Sequence, residues 1–222
     1  MSKKCLIILS YVDHPSDRLL YQLTEDADYI ICADGGQMIA RNFNIIPDAV
    51  IGDFDSTTID QRFDCLYITY PSEKDLTDAE ASLNHAIEMN CDNITFYGGI
   101  GGRLDHMLGN ISILSKFTER GITVRFMDDS NYLTMITNGS INLPNSRRYK
   151  YFGVVPYDSE AKGVTITGAK YELHNVDMKR TGTLGISNEI TGSYARVTVK
   201  KVLSSLPGHG IRSHRNKLLT DY

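Results

Sequence analysis

The residues of this chain best suited to chemistry fall into four short segments, each just after a predicted β-strand. Asp34-Gly35-Gly36, Asp53-Phe54-Asp55-Ser56, Pro71-Ser72-Glu73-Lys74-Asp75-Leu76-Thr77-Asp78 and Gly98-Gly99-Ile100-Gly101-Gly102-Arg103-Leu104-Asp105-His106 supply carboxylates, glycines, a lysine and an arginine. Two carboxylates about 4 Å apart repel by roughly 4 kcal/mol at an effective dielectric of 20, so three or four in one crevice need cations or partial protonation. Oxygen-rich clusters suit Mg²⁺. Asp53 and Asp55 have the alternating spacing that turns both toward one crevice if the backbone is extended there, and Asp78 enters from a helix start. Taken singly, each reads as a turn cap or a helix N-terminal acid. Their shared location favours a metal site.

The glycine run lies between a strand and a helix, where unobstructed backbone N–H groups and a helix N-terminus can hold a phosphate. Arg103 can pair with phosphate oxygens as a fork. The run fits neither G-x-G-x-x-G nor G-x-x-x-x-G-K-[ST], and the chain has no Gly-Lys dipeptide, which disfavours a Walker-type NTPase. A flexible turn is the plain alternative. His106 alone reads as a hydrogen-bonded structural residue, and no Ser-His-Asp order or His/Cys zinc spacing stands out.

Strands are predicted at Cys5–Ser10, Tyr29–Ala33, Ala49–Gly52, Leu66–Tyr70, Asn93–Tyr97 and Ile122–Met127, alternating with helical patterns as a parallel α/β sheet requires. Thr77-x-x-Glu80 reads as a capping box opening one helix. Leu104, Met107, Leu108, Ile111, Leu114 and Thr118 keep the spacing of another, packed by one face. In such a sheet the loops leaving the strands' carboxyl ends gather into one ligand crevice. From about Asp129 the texture changes to short β-branched or aromatic runs: Tyr132–Thr137, Ser140–Leu143, Tyr151–Val155, Val164–Thr167, Tyr171–Leu173 and Tyr194–Val199. The expected fold class is therefore α/β: a parallel-sheet domain over 1–128, then an all-β sandwich or jelly-roll-like domain over 129–222.

With 222 residues, 41% hydrophobic and 23% charged, the composition is that of an ordinary globular chain. A net charge of −4 gives no reason to expect nucleic acid. Between Asp34 and Asp78, nine acidic residues face three basic ones. By contrast, Arg196, Lys200, Lys201, Arg212, Arg215 and Lys217 have no acidic residue among them and read as a solvated basic end. No stretch approaches the roughly 20 apolar residues of a membrane span. Four cysteines form no C-x-x-C pair, so a reduced cytoplasm with buried thiols is expected.

Together, Cys32-Ala33-Asp34-Gly35-Gly36, Pro47-Asp48-x-x-Ile51-Gly52-Asp53-Phe54-Asp55-Ser56, Lys74-Asp75-x-Thr77-Asp78-x-Glu80 and Gly101-Gly102-Arg103-x-Asp105-His106-x-x-x-Asn110 resemble, in order and spacing, the successive motifs of thiamine pyrophosphokinases. Gly168-x-x-Tyr171-x-Leu173 and Gly185-Ile186-Ser187-Asn188-Glu189 resemble the family's thiamine-side segment. The resemblance implies ATP + thiamine → AMP + thiamine diphosphate, and a homodimer with thiamine sites between subunits. It implies that Asp34, Asp53, Asp55 and Asp78 hold Mg²⁺, that Lys74, Thr77 and Arg103 contact the ATP phosphates, and that Asp105, with His106 beside it, helps fix the nucleotide. Asp78 and Asp75 remain the two candidates to take the hydroxyl proton. Ser187 and Asn188 can offer a hydroxyl and an amide to thiamine; an Asn-rich turn satisfying its own backbone is the alternative. The cation thiamine suits a crevice of net negative charge. The chain has no Trp, whereas some relatives stack one near thiamine, so the aromatic partner stays open. Another Mg²⁺-dependent phosphotransferase or nucleotidyltransferase, or a non-catalytic nucleotide or thiamine sensor, are the other readings.

Overall fold

Runs such as Cys5-Leu6-Ile7-Ile8 and Ala49-Val50-Ile51 carry no polar alternation, and a strand of that kind can be buried only with both faces covered. The computed structural model describes residues 2–13, 15–54, 62–71 and 75–200, with 202–206, 209–214 and 217–221 by their backbone. Asp55 and Lys74 lie outside the described residues. The chain divides into two compact units, Met1–Ser130 and Asn131–Tyr222.

In the first unit, β1 (Lys4–Ile8), β2 (Tyr29–Ala33), β3 (Ala49–Gly52), β4 (Leu66–Thr69), β5 (Asn93–Tyr97) and β6 (Thr123–Met127) form a parallel sheet. Their order is β4-β3-β2-β1-β5-β6. Leu6, Ile8, Ile31, Val50, Ile51 and Phe96 are buried in it, and Phe96 stacks on Phe126 with ring centroids 4.3 Å apart. The helices are α1 (Asp17–Asp26), α2 (Gly36–Asn42), α3 (Asp78–Glu88) and α4 (Leu104–Thr118). Helix α2 lies so close to β1 that a methyl group on Gly36 would stand 2.0 Å from the carbonyl oxygen of Ile8.

Three local expectations change. Strand β1 ends at Ile8 rather than Ser10, which adds Leu9 and Ser10 to the loop that carries Tyr11. The cap of α3 is half a capping box: Thr77 Oγ1 accepts from the Glu80 N–H at 3.2 Å, but the Glu80 carboxylate is drawn to Lys116 of α4. In α4 the buried stripe is Asn110, Ile113, Leu114 and Phe117. Leu104 and Leu108, expected on the packed face, are 64% and 54% exposed. Spacing showed a periodic apolar face, and tertiary packing chose the neighbouring stripe.

In the second unit, β7 (Tyr132–Thr137), β8 (Ser140–Pro144), β9 (Tyr151–Pro156), β10 (Glu160–Thr167), β11 (Leu173–Lys179), β12 (Asn188–Glu189) and β13 (Tyr194–Thr198) are followed by β14 (Val202–Leu206), β15 (His209–His214) and β16 (Lys217–Asp221). One antiparallel sheet runs β12-β9-β16-β7 and the other β11-β10-β13-β8, with β14 and β15 as a hairpin. Phe152 and Val154 of β9 share a core with Val164 and Ile166 of β10 and Ala195 and Val197 of β13, as the inner faces of a sandwich do. The basic end is strand rather than irregular tail in its backbone: it includes β14, β15 and β16, and β16 pairs with both β7 and β9, while Arg196 and Lys200 are exposed as expected. Such pairing depends on partners distant in the chain, Leu218 for example lying opposite Ile136 on one side and Pro156 on the other, which charge composition does not report.

Candidate active site

A cleft of about 590 Å³ opens at the carboxyl ends of the parallel strands in the first unit. Asp34, Asp53, Thr77, Asp78, Arg103 and His106 all line it. Four separate segments of the sequence therefore meet at one place, as open parallel sheets arrange their loops. Ser187 and Asn188 belong to the second unit, while Asp75 is exposed and not among the lining residues.

Asp34 leaves β2 in a left-handed conformation, φ 43°, and its N–H bonds the Ile51 carbonyl of β3 at 2.7 Å. That bond ties the end of β2 to the strand that carries Asp53. Phe54 is also left-handed, φ 54°, and its ring packs against the core. A bulky residue in that region is uncommon and costs about 1–3 kcal/mol, a cost that the surrounding packing offsets. The backbone therefore turns at Phe54, directly after Asp53; Asp55, the other half of the expected alternation, lies outside the described residues. Asp78 begins α3, where its carboxylate meets the favourable end of the helix dipole. The cap uses Thr77 Oγ1 as an acceptor, which leaves the O–H to donate.

The oxygen donors fit Mg²⁺. Among the described residues no three His, Cys, Asp or Glu side chains already converge as a metal cage. Mg²⁺ needs none, since it keeps several waters and is bound through one or two carboxylates plus substrate phosphates.

Arg103 and Asp105 hold each other as a fork, Nε to Oδ1 at 3.2 Å and Nη2 to Oδ2 at 2.7 Å. The guanidinium keeps the Asp105 carboxyl below its ordinary pKa. Asp105 thus faces Arg103 and is not among the cleft-lining residues. The glycine run is less open than a phosphate cradle would be. Gly99 N–H bonds the Tyr11 carbonyl at 2.9 Å, and the Gly99 carbonyl accepts from Asn110 Nδ2 at 2.8 Å. Asn110 closes the fourth motif and lines the cleft, whereas Tyr11 lines it without belonging to any motif. A strand end two residues earlier was the missing signal for Tyr11.

In the second unit Asn188 is 1% exposed, and its amide is turned inward. Oδ1 accepts from the N–H of Tyr171 and of Glu189, each at 3.0 Å, and Nδ2 donates to the Tyr171 carbonyl at 2.7 Å. This corrects the expectation for Asn188: its amide clamps the Tyr171 backbone instead of facing outward to a ligand. Ser187 beside it is exposed and left-handed, φ 59°, and Tyr171 is 58% exposed.

Residues 20–126 match the family model of the thiamin pyrophosphokinase catalytic domain, and 139–203 match that of the thiamin pyrophosphokinase vitamin B1 binding domain. A thiamine pyrophosphokinase of Bacillus subtilis (strain 168) is 34% identical over 176 residues, which cover 77% of this chain and 82% of the relative. The chain belongs to the thiamine pyrophosphokinase family. The family likeness extends to thiamin pyrophosphokinase 1 of Caenorhabditis elegans, 28% identical over 77% of this chain and 75% of that one. The crystal structure of the thiamine pyrophosphokinase from Bacillus subtilis superposes with a TM-score of 0.81 at 29% identity, covering 99% of this chain and 98% of that one. The chain is accordingly an enzyme of the thiamine pyrophosphokinase class, an α/β domain followed by an antiparallel β domain. Among the described residues no helix is long and apolar enough to cross a membrane.

Proposed function

We propose that this chain transfers the pyrophosphoryl group of ATP to the hydroxyl of thiamine, giving thiamine diphosphate and AMP. The observation that carries the reading is the convergence of Asp34, Asp53, Thr77 and Asp78 on one cleft at the strand ends of a family catalytic domain. Asp34, Asp53 and Asp78 would hold Mg²⁺, with Asp55 completing the set. Bound there, the metal would neutralise charge on the phosphates during transfer. The chain's own groups orient: Thr77 donates its O–H to a phosphate oxygen, and Lys74 and Arg103 bring positive charge. Asp105 serves the nucleotide by holding the Arg103 fork.

On the acceptor side, the exposed Ser187 hydroxyl and the exposed Tyr171 ring are the groups offered to thiamine. We further propose a homodimer in the cytoplasm. The exposed Leu104 and Leu108 of α4 support a partner surface, and the four free cysteines support a reducing compartment. Sedimentation equilibrium should give about 50 kDa, twice the 24.8 kDa of one chain.

Incubation with ATP, Mg²⁺ and thiamine, followed by chromatography, tests the reaction. Stoichiometric AMP and thiamine diphosphate are expected. ADP with thiamine monophosphate would move the protein to another phosphotransferase class, and no turnover would leave a sensor.

A further inference from the structure

Tyr11 belongs to none of the motifs above, yet it lines the cleft and is 44% exposed. Its ring lies on the bare backbone of the glycine run. A methyl on Gly102 would stand 3.1 Å from three of the ring carbons, and one on Gly101 would stand 3.4 Å from Cε1. The loop that carries it is held at both ends. The Tyr11 carbonyl takes the Gly99 N–H at 2.9 Å. At the far end Ser16 donates its N–H and hydroxyl to the Asp129 carboxylate at 3.1 and 2.6 Å, beside the buried Tyr97. The ring is therefore positioned before any ligand arrives.

Topology says which part of a ligand would meet it. In the order β4-β3-β2-β1-β5-β6 the connections diverge on either side of β1, so the β1 and β5 loops face each other at the switch point where open parallel sheets bind ligands. Tyr11 follows β1 and the glycines follow β5. Asp34 and Asp53 follow β2 and β3, on the other side. With neighbouring strands about 4.8 Å apart, β5 lies roughly 14 Å across the sheet from β3. Phosphates drawn to the carboxylate side leave the nucleobase of an extended ATP on the Tyr11 side. Among the described residues lining the cleft, Tyr11 carries the only six-membered aromatic ring.

We propose that Tyr11 is the platform on which the purine ring of ATP stacks, its far face braced by Gly101 and Gly102. The proposal rests on the reading of this cleft as an ATP site. The glycines then serve to admit the Tyr11 ring rather than to cradle a phosphate.

Calorimetric titration of the full chain with MgATP and with magnesium tripolyphosphate, which has no base, tests it on wild type, Tyr11→Phe and Tyr11→Leu. Base–aromatic stacking predicts that Tyr11→Leu weakens MgATP about tenfold or more. Tripolyphosphate should stay within about twofold, and Tyr11→Phe should keep both affinities because the flat ring remains. In turnover, Tyr11→Leu should raise the ATP KM while leaving kcat and the thiamine KM nearly unchanged. Equal loss of both ligands would make Tyr11 a support of the loop and overturn the proposal, as would a rise confined to the thiamine KM. Unaltered MgATP binding in Tyr11→Leu overturns it alone, with the ATP site intact. Wild type that binds no MgATP overturns the ATP reading together with it.

Discussion

A β-carbon on Gly52 would stand 3.1 Å from the Cα of Asp34. The absence of that carbon lets the end of β3 press on the end of β2, so that Asp34 and Asp53 open into the same cleft.

Gly52→Ala should therefore act on chemistry and Gly36→Ala on stability. At 52 the neighbour must give by a few tenths of an ångström, displacing Asp34, and turnover should fall with little change in melting. At 36 the obstacle is the Ile8 carbonyl oxygen at 2.0 Å, which is backbone within the sheet. Urea denaturation of Gly36→Ala should show a loss of about 2 kcal/mol or more, in the range of overpacked cores.

Asp53→Asn and Asp78→Asn should each lower turnover about a hundredfold or more, since losing a metal ligand removes several kcal/mol of charge stabilisation. Melting followed by circular dichroism should stay native. Activity within about threefold of wild type in both variants would count against the metal role.

Ser187→Ala and Asn188→Ala should separate contact from support. Removing the Asn188 amide takes the partner from the part-buried Tyr171 N–H and carbonyl, at up to about 1–3 kcal/mol for each group left unsatisfied, so the melting temperature should drop as the thiamine KM rises. Ser187→Ala should raise the thiamine KM about five- to a hundredfold with no such drop. The ATP KM should move in neither.

His85 makes stability depend on pH. It is 8% exposed, its Nε2 lies 3.3 Å from the Tyr29 hydroxyl, and burial pulls the imidazole pKa below its ordinary 6.5 against a weaker pull upward from Glu88. The folded state therefore holds a neutral ring that the unfolded chain would protonate near 6.5. Its contribution is complete above that value and is lost as pH falls through the lower folded value. Urea midpoints taken from about pH 7.5 down to about pH 5.5 should decline, and His85→Gln should flatten the decline.

Much of this protein was legible in the order of its residues. Unbroken apolar runs such as Ala49-Val50-Ile51 can be satisfied only by a doubly covered parallel sheet, and the loops after such strands must share one end of it. That alone gathers Asp34, Asp53, Thr77, Asp78 and Arg103, and it explains why the four motifs carried the family likeness. Local pattern could not say which of two adjacent stripes on α4 meets the sheet, because Leu104 and Leu108 keep the same spacing as the buried residues. Nor could it say that Glu80 would leave its cap for Lys116, or that Lys217–Asp221 would enter a sheet between β7 and β9, since both depend on distant partners. Asn188 and Tyr11 show the same limit at the candidate sites. An amide can serve a ligand or a backbone, and a tyrosine after a strand can face solvent or a cleft; only the packed neighbours, Tyr171 for one and Gly101 and Gly102 for the other, decide between them.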